Sequence, residues 1–246
     1  MTTGIALVLA AGLVTGGLIG AVGVGGVLIA PLLVLLAGYD VQQAIAIAAG
    51  SFVFTGLAGT LAYARRGSVD WPAAGWLAAG VVPGALVGAW ISGLLPAEAL
   101  TWLICTLIAL LGVRELFGRR VRPDRLGRMP GVYTLLPLGT AVGFGSALTG
   151  TGGPVLLIPL LLMATVPALA AIGVAQVIQL PVALFASLGF LLFGQIDLLL
   201  AAGLGVTQAA GVLLGARLAH SLPASLLRRL VAIALLGTAV LLLVRL

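Results

Sequence analysis

Few residues in this chain could do chemistry, and the backbone offers more than the side chains. The cluster Gly23-Val24-Gly25-Gly26 recurs as Gly150-Thr151-Gly152-Gly153, offset by 127 residues. Both copies interrupt long apolar stretches, where glycine weakens a helix. A break there exposes backbone N–H groups and a partial positive charge at the start of the helical arm that follows. Such an end binds an anion without lysine or arginine. Pro154, directly after Gly153, suits a first helical turn. Thr149 and Thr151 add hydroxyl donors beside the second cluster.

Polar side chains inside the apolar segments are few. Gln176 and Gln179 are three apart and share one helix face. Two amides on one face in lipid need a partner, a water or a ligand. Ser51 and Thr55 occupy the corresponding segment upstream, four apart and again on one face. Neutral donors of this kind suit an oxyanion that must bind and then leave; interhelical hydrogen bonding is the alternative use. Gln208 is a weaker candidate of the same sort. Asp70 and Asp197 each open a helix, where capping explains them and a coupling proton site is the alternative. Cys105 and His220 are the only cysteine and the only histidine. Cys105 reads as a small packed hydrophobe and His220 as an interfacial residue. No disulfide, metal-ligand spacing or activated nucleophile with a base is present, so the pattern excludes an enzyme, and no cofactor is expected.

The elements that position these residues lie in lipid. The chain is 62% hydrophobic and 7% charged, where a soluble domain carries roughly 25% charged residues. Apolar runs of about 20 residues and more recur along its length. All twelve basic residues are arginines at the ends of apolar segments, so the net charge of +6 speaks of topology rather than nucleic acid. The start lacks the basic region of a cleaved signal peptide, so the first apolar segment is expected to remain.

The 127-residue offset extends beyond the glycine clusters. Gly12 and Gly16 match Gly139 and Gly143; Gly67 and Asp70 match Gly194 and Asp197; Gly84 and Gly88 match Gly211 and Gly215; Pro96 matches Pro223. Pro31 stands one position out of phase with Pro159, a shift compensated before Val41. The chain therefore reads as an internal duplication: residues 1–118 and 131–246 as two transmembrane repeats, joined by a basic cytoplasmic linker at 119–130. Helical segments are expected at 4–38, 41–64, 71–94 and 98–117, and at 132–165, 168–193, 197–220 and 224–245. The first of each half, about 34 residues, would measure roughly 50 Å as one helix against a hydrocarbon core of about 30 Å. Each must tilt, break or fold back, and the glycine cluster lies within it.

Arginine placement chooses between these. With a cytoplasmic linker and two returning hairpins, eleven of the twelve arginines lie inside and only Arg245 outside. With single crossings, Arg217, Arg228 and Arg229 fall outside instead, leaving nine inside. The positive-inside rule favours hairpins and inverted repeats. The expected fold is an all-α polytopic membrane protein of two homologous halves, about four helices each, with the first helix of each half broken or re-entrant. The small-residue sets Gly12, Gly16 and Gly20, Gly84 with Gly88, and Gly211 with Gly215 read as close helix packing. Trp71, Trp76, Trp90 and Trp102 read as interfacial or lipid-facing.

The pattern Gly16-x3-Gly20-x2-Gly23-x-Gly25-Gly26 followed by Pro31-Leu32-Leu33, its copy Gly143-x6-Gly150-x-Gly152-Gly153 followed by Pro159-Leu160-Leu161, and Gly67-Ser68-Val69-Asp70-Trp71 resemble the sulfite exporter TauE/SafE family. The resemblance covers nearly the whole chain. Val27 and Pro154 stand where the family usually has a third consecutive glycine. The resemblance implies transport of small sulfur-containing anions, such as sulfite or organosulfonates, across the bacterial inner membrane. Export could run as facilitated flow down a negative-inside potential of about 2.3 kcal/mol per charge per 100 mV; uptake would need a coupled cation. The expected function is a secondary transporter with alternating access. Its site would be Gly23, Gly25, Gly26, Ser51, Thr55, Thr149, Gly150, Thr151, Gly152, Gly153, Gln176 and Gln179. The alternatives are an anion channel and a non-catalytic accessory subunit. Expected partners are a small anionic substrate, the lipid bilayer and a possible homodimer, with no nucleic acid.

Overall fold

The computed structural model describes residues 2–96, 129–192 and 196–218, with scattered positions between 98 and 113 and residue 240. His220, the linker from 119 to 128, the arginines at 114 to 128 and those at 228, 229 and 245 lie outside the described residues. So does the segment 224–245 apart from Val240, and much of 98–117.

The described residues form helices and no strands. The helices are α1 (Thr2–Val22), α2 (Ile29–Leu32), α3 (Val41–Ala64), α4 (Trp71–Leu94), α5 (Val132–Thr149), α6 (Gly153–Met163), α7 (Ala168–Leu192) and α8 (Leu198–Leu218). Five of them, α3, α4, α5, α7 and α8, are long and apolar enough to cross a membrane. Matched signals start two of these. The Asp70 carboxylate accepts from Ala73 N–H at 3.0 Å and opens α4; Asp197 accepts from Leu200 N–H at 3.0 Å and opens α8.

Glycine contacts fix how the helices run. A Cβ added to Gly16 would strike the backbone of Gln208, and one on Gly20 the backbone of Val212. The register rises together, so α1 and α8 are parallel. Gly80 meets Leu136, Gly84 meets Thr140 and Gly88 meets Phe144, so α4 and α5 are parallel too. Gly56 meets Leu180 while Gly59 meets Gln176, so α3 and α7 cross antiparallel. In lipid there is no hydrophobic drive between helices, and backbone contact through small residues gains the packing instead. Large side chains turn outward: Trp71, Trp76, Trp90 and Trp102 are all exposed, as are Leu57, Leu199 and Val206.

Each long segment is two pieces. α1 stops at Val22, and Gly25 lies against the Thr15 carbonyl and the Leu18 side chain of the same helix. α5 stops at Thr149, and a Cβ on Gly145 would lie 2.9 Å from Leu156 Cδ1. In one straight helix those two residues would stand roughly 16 Å apart. The chain therefore doubles back in both places. The arms that follow differ. The second is the regular α6. The first is a 3-10 turn (Gly25–Leu28), the short α2, and a π turn (Leu33–Ala37). The one-residue phase shift between Pro31 and Pro159 has its physical form here. A tighter 3-10 turn covers the distance with a residue fewer before the proline, and a wider π turn takes up the extra residue after it.

Candidate functional site

Distant side chains reach the last carbonyls of α1. Gly23, at φ 77°, donates its N–H to the Ile19 carbonyl at 2.9 Å. Gln176 Nε2 donates to the same carbonyl at 2.8 Å, and the Tyr63 hydroxyl donates to Gly20 O at 2.8 Å. All three side-chain and backbone groups are buried. Because Ile19 O only accepts, the amide of Gln176 is held with its oxygen turned the other way. That oxygen has no conventional partner, and lies where a Cβ of Gly59 would be. A Gly59 Cα–H therefore points at it, a weak hydrogen bond. Gln176 thus ties α7 to α1 and α3.

The second break is built from polar parts. Gly150 closes α5 in the left-handed conformation, and Gly152 precedes α6 at φ 74°, ψ 149°. A side chain at Gly152 would be strained, so glycine is required there. Thr149 Oγ1 donates to Gly145 O at 2.7 Å, and its oxygen lies 2.9 Å from Thr151 Oγ1. Among the described residues, nothing accepts from the N–H groups of Thr151, Gly152 and Gly153. Gln179 comes in from α7. Its Nε2 donates to Thr55 Oγ1 at 2.7 Å, and Thr55 in turn donates to Phe52 O at 3.2 Å. A Cβ on Gly152 would lie 3.8 Å from that Nε2. Gln179 is 1% exposed and its Oε1 has no partner. Three N–H groups without acceptors thus stand at the N-terminus of α6, and the Gln179 amide lies beside Gly152. That arrangement can hold an anion without a cation.

The two breaks meet. A Cβ on Gly26 would lie 2.8 Å from Thr151 O and 3.1 Å from Phe52 Cζ; one on Gly152 would lie 3.3 Å from Phe52 Cδ2. The Phe52 ring thus lies against both. Gly23 faces Ile158 and Pro154 of the second arm. Of the residues expected from sequence, Gly26, Thr55, Thr149, Gly150, Thr151, Gly152, Gly153 and Gln179 gather around the second break. Gly25 packs on α1, and Gln176 sits at the end of α1. Ser51 donates to Ala48 O at 2.8 Å, and its own carbonyl lies against Gly205 of α8. Sequence reasoning missed Phe52 and Tyr63. Phe52 could have been found by carrying the 127-residue offset through Gln179, which lands on it.

Among the described residues no group of His, Cys, Asp or Glu could hold a metal ion. Charged groups lie at the helix ends. Arg66 Nη1 donates to Ala216 O at 2.6 Å and so joins the end of α3 to the end of α8. Outside the spans, burial raises the Tyr39 phenol above its usual pKa, and the Asp197 carboxylate that it hydrogen-bonds adds to this.

Neither curated proteins nor solved structures gave a match. A family match runs over residues 8–242, under the description Sulfite exporter TauE/SafE. Members are membrane transporters of sulfur anions rather than enzymes. The match takes in both breaks and every helix from α2 to α8. With several apolar helices besides, this is a multi-pass membrane protein, and the chain belongs to the sulfite exporter TauE/SafE family.

Proposed function

We propose that the chain is a secondary transporter of small sulfur-containing oxyanions, sulfite or an organosulfonate, in the inner membrane of a bacterium. One observation carries the reading: the N–H groups of Thr151, Gly152 and Gly153 at the start of α6, which have no acceptor among the described residues. An oxyanion has acceptors for all of them, and neutral donors release it more readily than an arginine would. The site stands at mid-helix on α7 and α3, where transporters place substrate near the bilayer midplane.

The halves 1–118 and 131–246 are taken as inverted repeats. The run of the helices supports this: α1 lies parallel to α8, α4 to α5, and α3 crosses its counterpart α7 antiparallel. Rocking of one half against the other about the meeting breaks would expose the anion to each side in turn. The lipid bilayer is the standing partner, a homodimer is compatible with the lipid-facing surface, and the arginines at the ends of apolar segments fit membrane topology rather than nucleic acid. A negative-inside potential favours anion exit, so export needs no coupled ion.

Counterflow in liposomes tests the mechanism. Labelled sulfite should enter faster when unlabelled sulfite waits inside, and the rate should saturate. A rate that is linear in concentration and indifferent to internal sulfite would mean a channel. No flux above empty liposomes would leave only an accessory role.

A further inference from the structure

The two breaks are equivalent in sequence position and differ in the residues that their own halves bring to them. At the 127-residue offset, Thr149 corresponds to Val22, Thr151 to Val24 and Gln179 to Phe52. The polar side chains that the second half brings to its own break thus have apolar counterparts in the first half. The helices differ in the same sense. α6 runs regularly for 11 residues from its N-terminus, whereas the first arm changes from 3-10 to α to π within 13. Aligned peptide dipoles need a regular helix to sum, so the field at Gly152 is the stronger. A charge held between the halves belongs at the second break.

Phe52 occupies what is left. Its ring is 1% exposed and lies against Gly26 on one side and Gly152 on the other. A single carbon placed on Gly152 would already be 3.3 Å from two ring atoms. An oxyanion seated on the Gly152 and Gly153 N–H groups therefore has the Phe52 ring among its apolar neighbours, with Ile178 and Val182 beside Gly153. Whatever the sulfur carries besides oxygen must displace that ring or fit beside it. The ring comes from α3, in the first half, and the donors come from the second, so the fit also depends on how the halves stand.

We propose that Phe52 is the specificity-determining residue of this site: it sets the upper size of the substituent on the transported oxyanion. The inference rests on the transport reading above. The probes are labelled sulfite, methanesulfonate and benzenesulfonate, with the full chain in liposomes. Phe52→Ala should raise the flux ratio of benzenesulfonate to methanesulfonate by about tenfold or more, the scale on which apolar pockets discriminate size. Phe52→Trp should lower the ratio of methanesulfonate to sulfite. The ratio is internal to each preparation, so a lower yield of folded protein does not imitate the effect. Should Phe52→Ala fail to reach the membrane, Phe52→Leu carries the test with a smaller rise in the same direction. Ratios unchanged from the unaltered chain, with sulfite still transported, would overturn the size-limiting role and leave the transport reading intact. Absence of flux for all three anions with the unaltered chain would overturn the transport reading and this inference with it.

Discussion

Gln179 Nε2 donates to Thr55 Oγ1 at 2.7 Å, joining α7 to α3 across 124 positions of sequence. This bond holds the amide beside Gly152 and links the two halves at the candidate site. Gln179→Leu should raise the KM for sulfite by roughly tenfold or more, the scale of a lost hydrogen bond to a charged group. Thr55→Val frees the amide without removing it and should cost less. The concentration dependence of flux measures both; an unchanged KM for Gln179→Leu would remove the amide from the site.

Gly152 and Gly38 share φ 74° and differ in surroundings. A β-carbon on Gly152 meets the Phe52 ring at 3.3 Å, whereas one on Gly38 meets nothing within 4 Å. Backbone strain of this kind costs on the order of 1–3 kcal/mol. Gly152→Ala should abolish most of the flux while protein remains in the membrane, and Gly38→Ala should keep it. Equal flux from the two variants would make the glycine at 152 a packing device only.

The carbonyls at the end of α1 give a stability prediction separate from affinity. Tyr63→Phe removes the bond to Gly20 O and should lower stability by about 1 kcal/mol. Gln176→Leu removes the bond to Ile19 O, which still receives the Gly23 N–H, and should cost a similar amount. Thermal unfolding in detergent reads the loss. A change in KM without a change in unfolding temperature would place Gln176 at the substrate instead.

Tyr39 supplies a pH dependence. Burial first, and Asp197 second, raise its phenol above the unfolded value of 10.0. The folded chain therefore holds this proton more tightly than the unfolded chain. The resulting stabilisation is complete below pH 10.0 and is lost as pH climbs from there through the folded value. Tyr39→Phe should flatten that alkaline limb of the stability curve. An identical limb in the variant would assign it to another group.

The sequence was most legible where one physical constraint acted alone. Segments 41–64 and 71–94 are the bounds of α3 and α4, because apolar runs in lipid end where Arg65, Asp70 and Leu95 begin a turn. Length against bilayer thickness said that each long segment must tilt, break or fold back, and arginine placement pointed to the reversal. The uneven arms were half visible: the shift between Pro31 and Pro159 was plain, but a one-residue slip alone does not say which turn widens. At the site, the glycines and Gln179 were readable because polar or flexible residues in lipid stand out. Phe52 was hidden among ordinary apolar residues, since a ring does not announce what it touches. Gln176 carried the same signal as Gln179, and only the placement of Ile19 and Gly59 separates their tasks.

Labelled sulfite flux into liposomes holding the purified chain, measured beside Gly152→Leu and empty liposomes, tests the central claim most directly. The unaltered chain should give saturable flux well above empty liposomes, and Gly152→Leu should fall to their level while still present in the membrane. Flux in the variant equal to that of the unaltered chain would contradict a site at the second break.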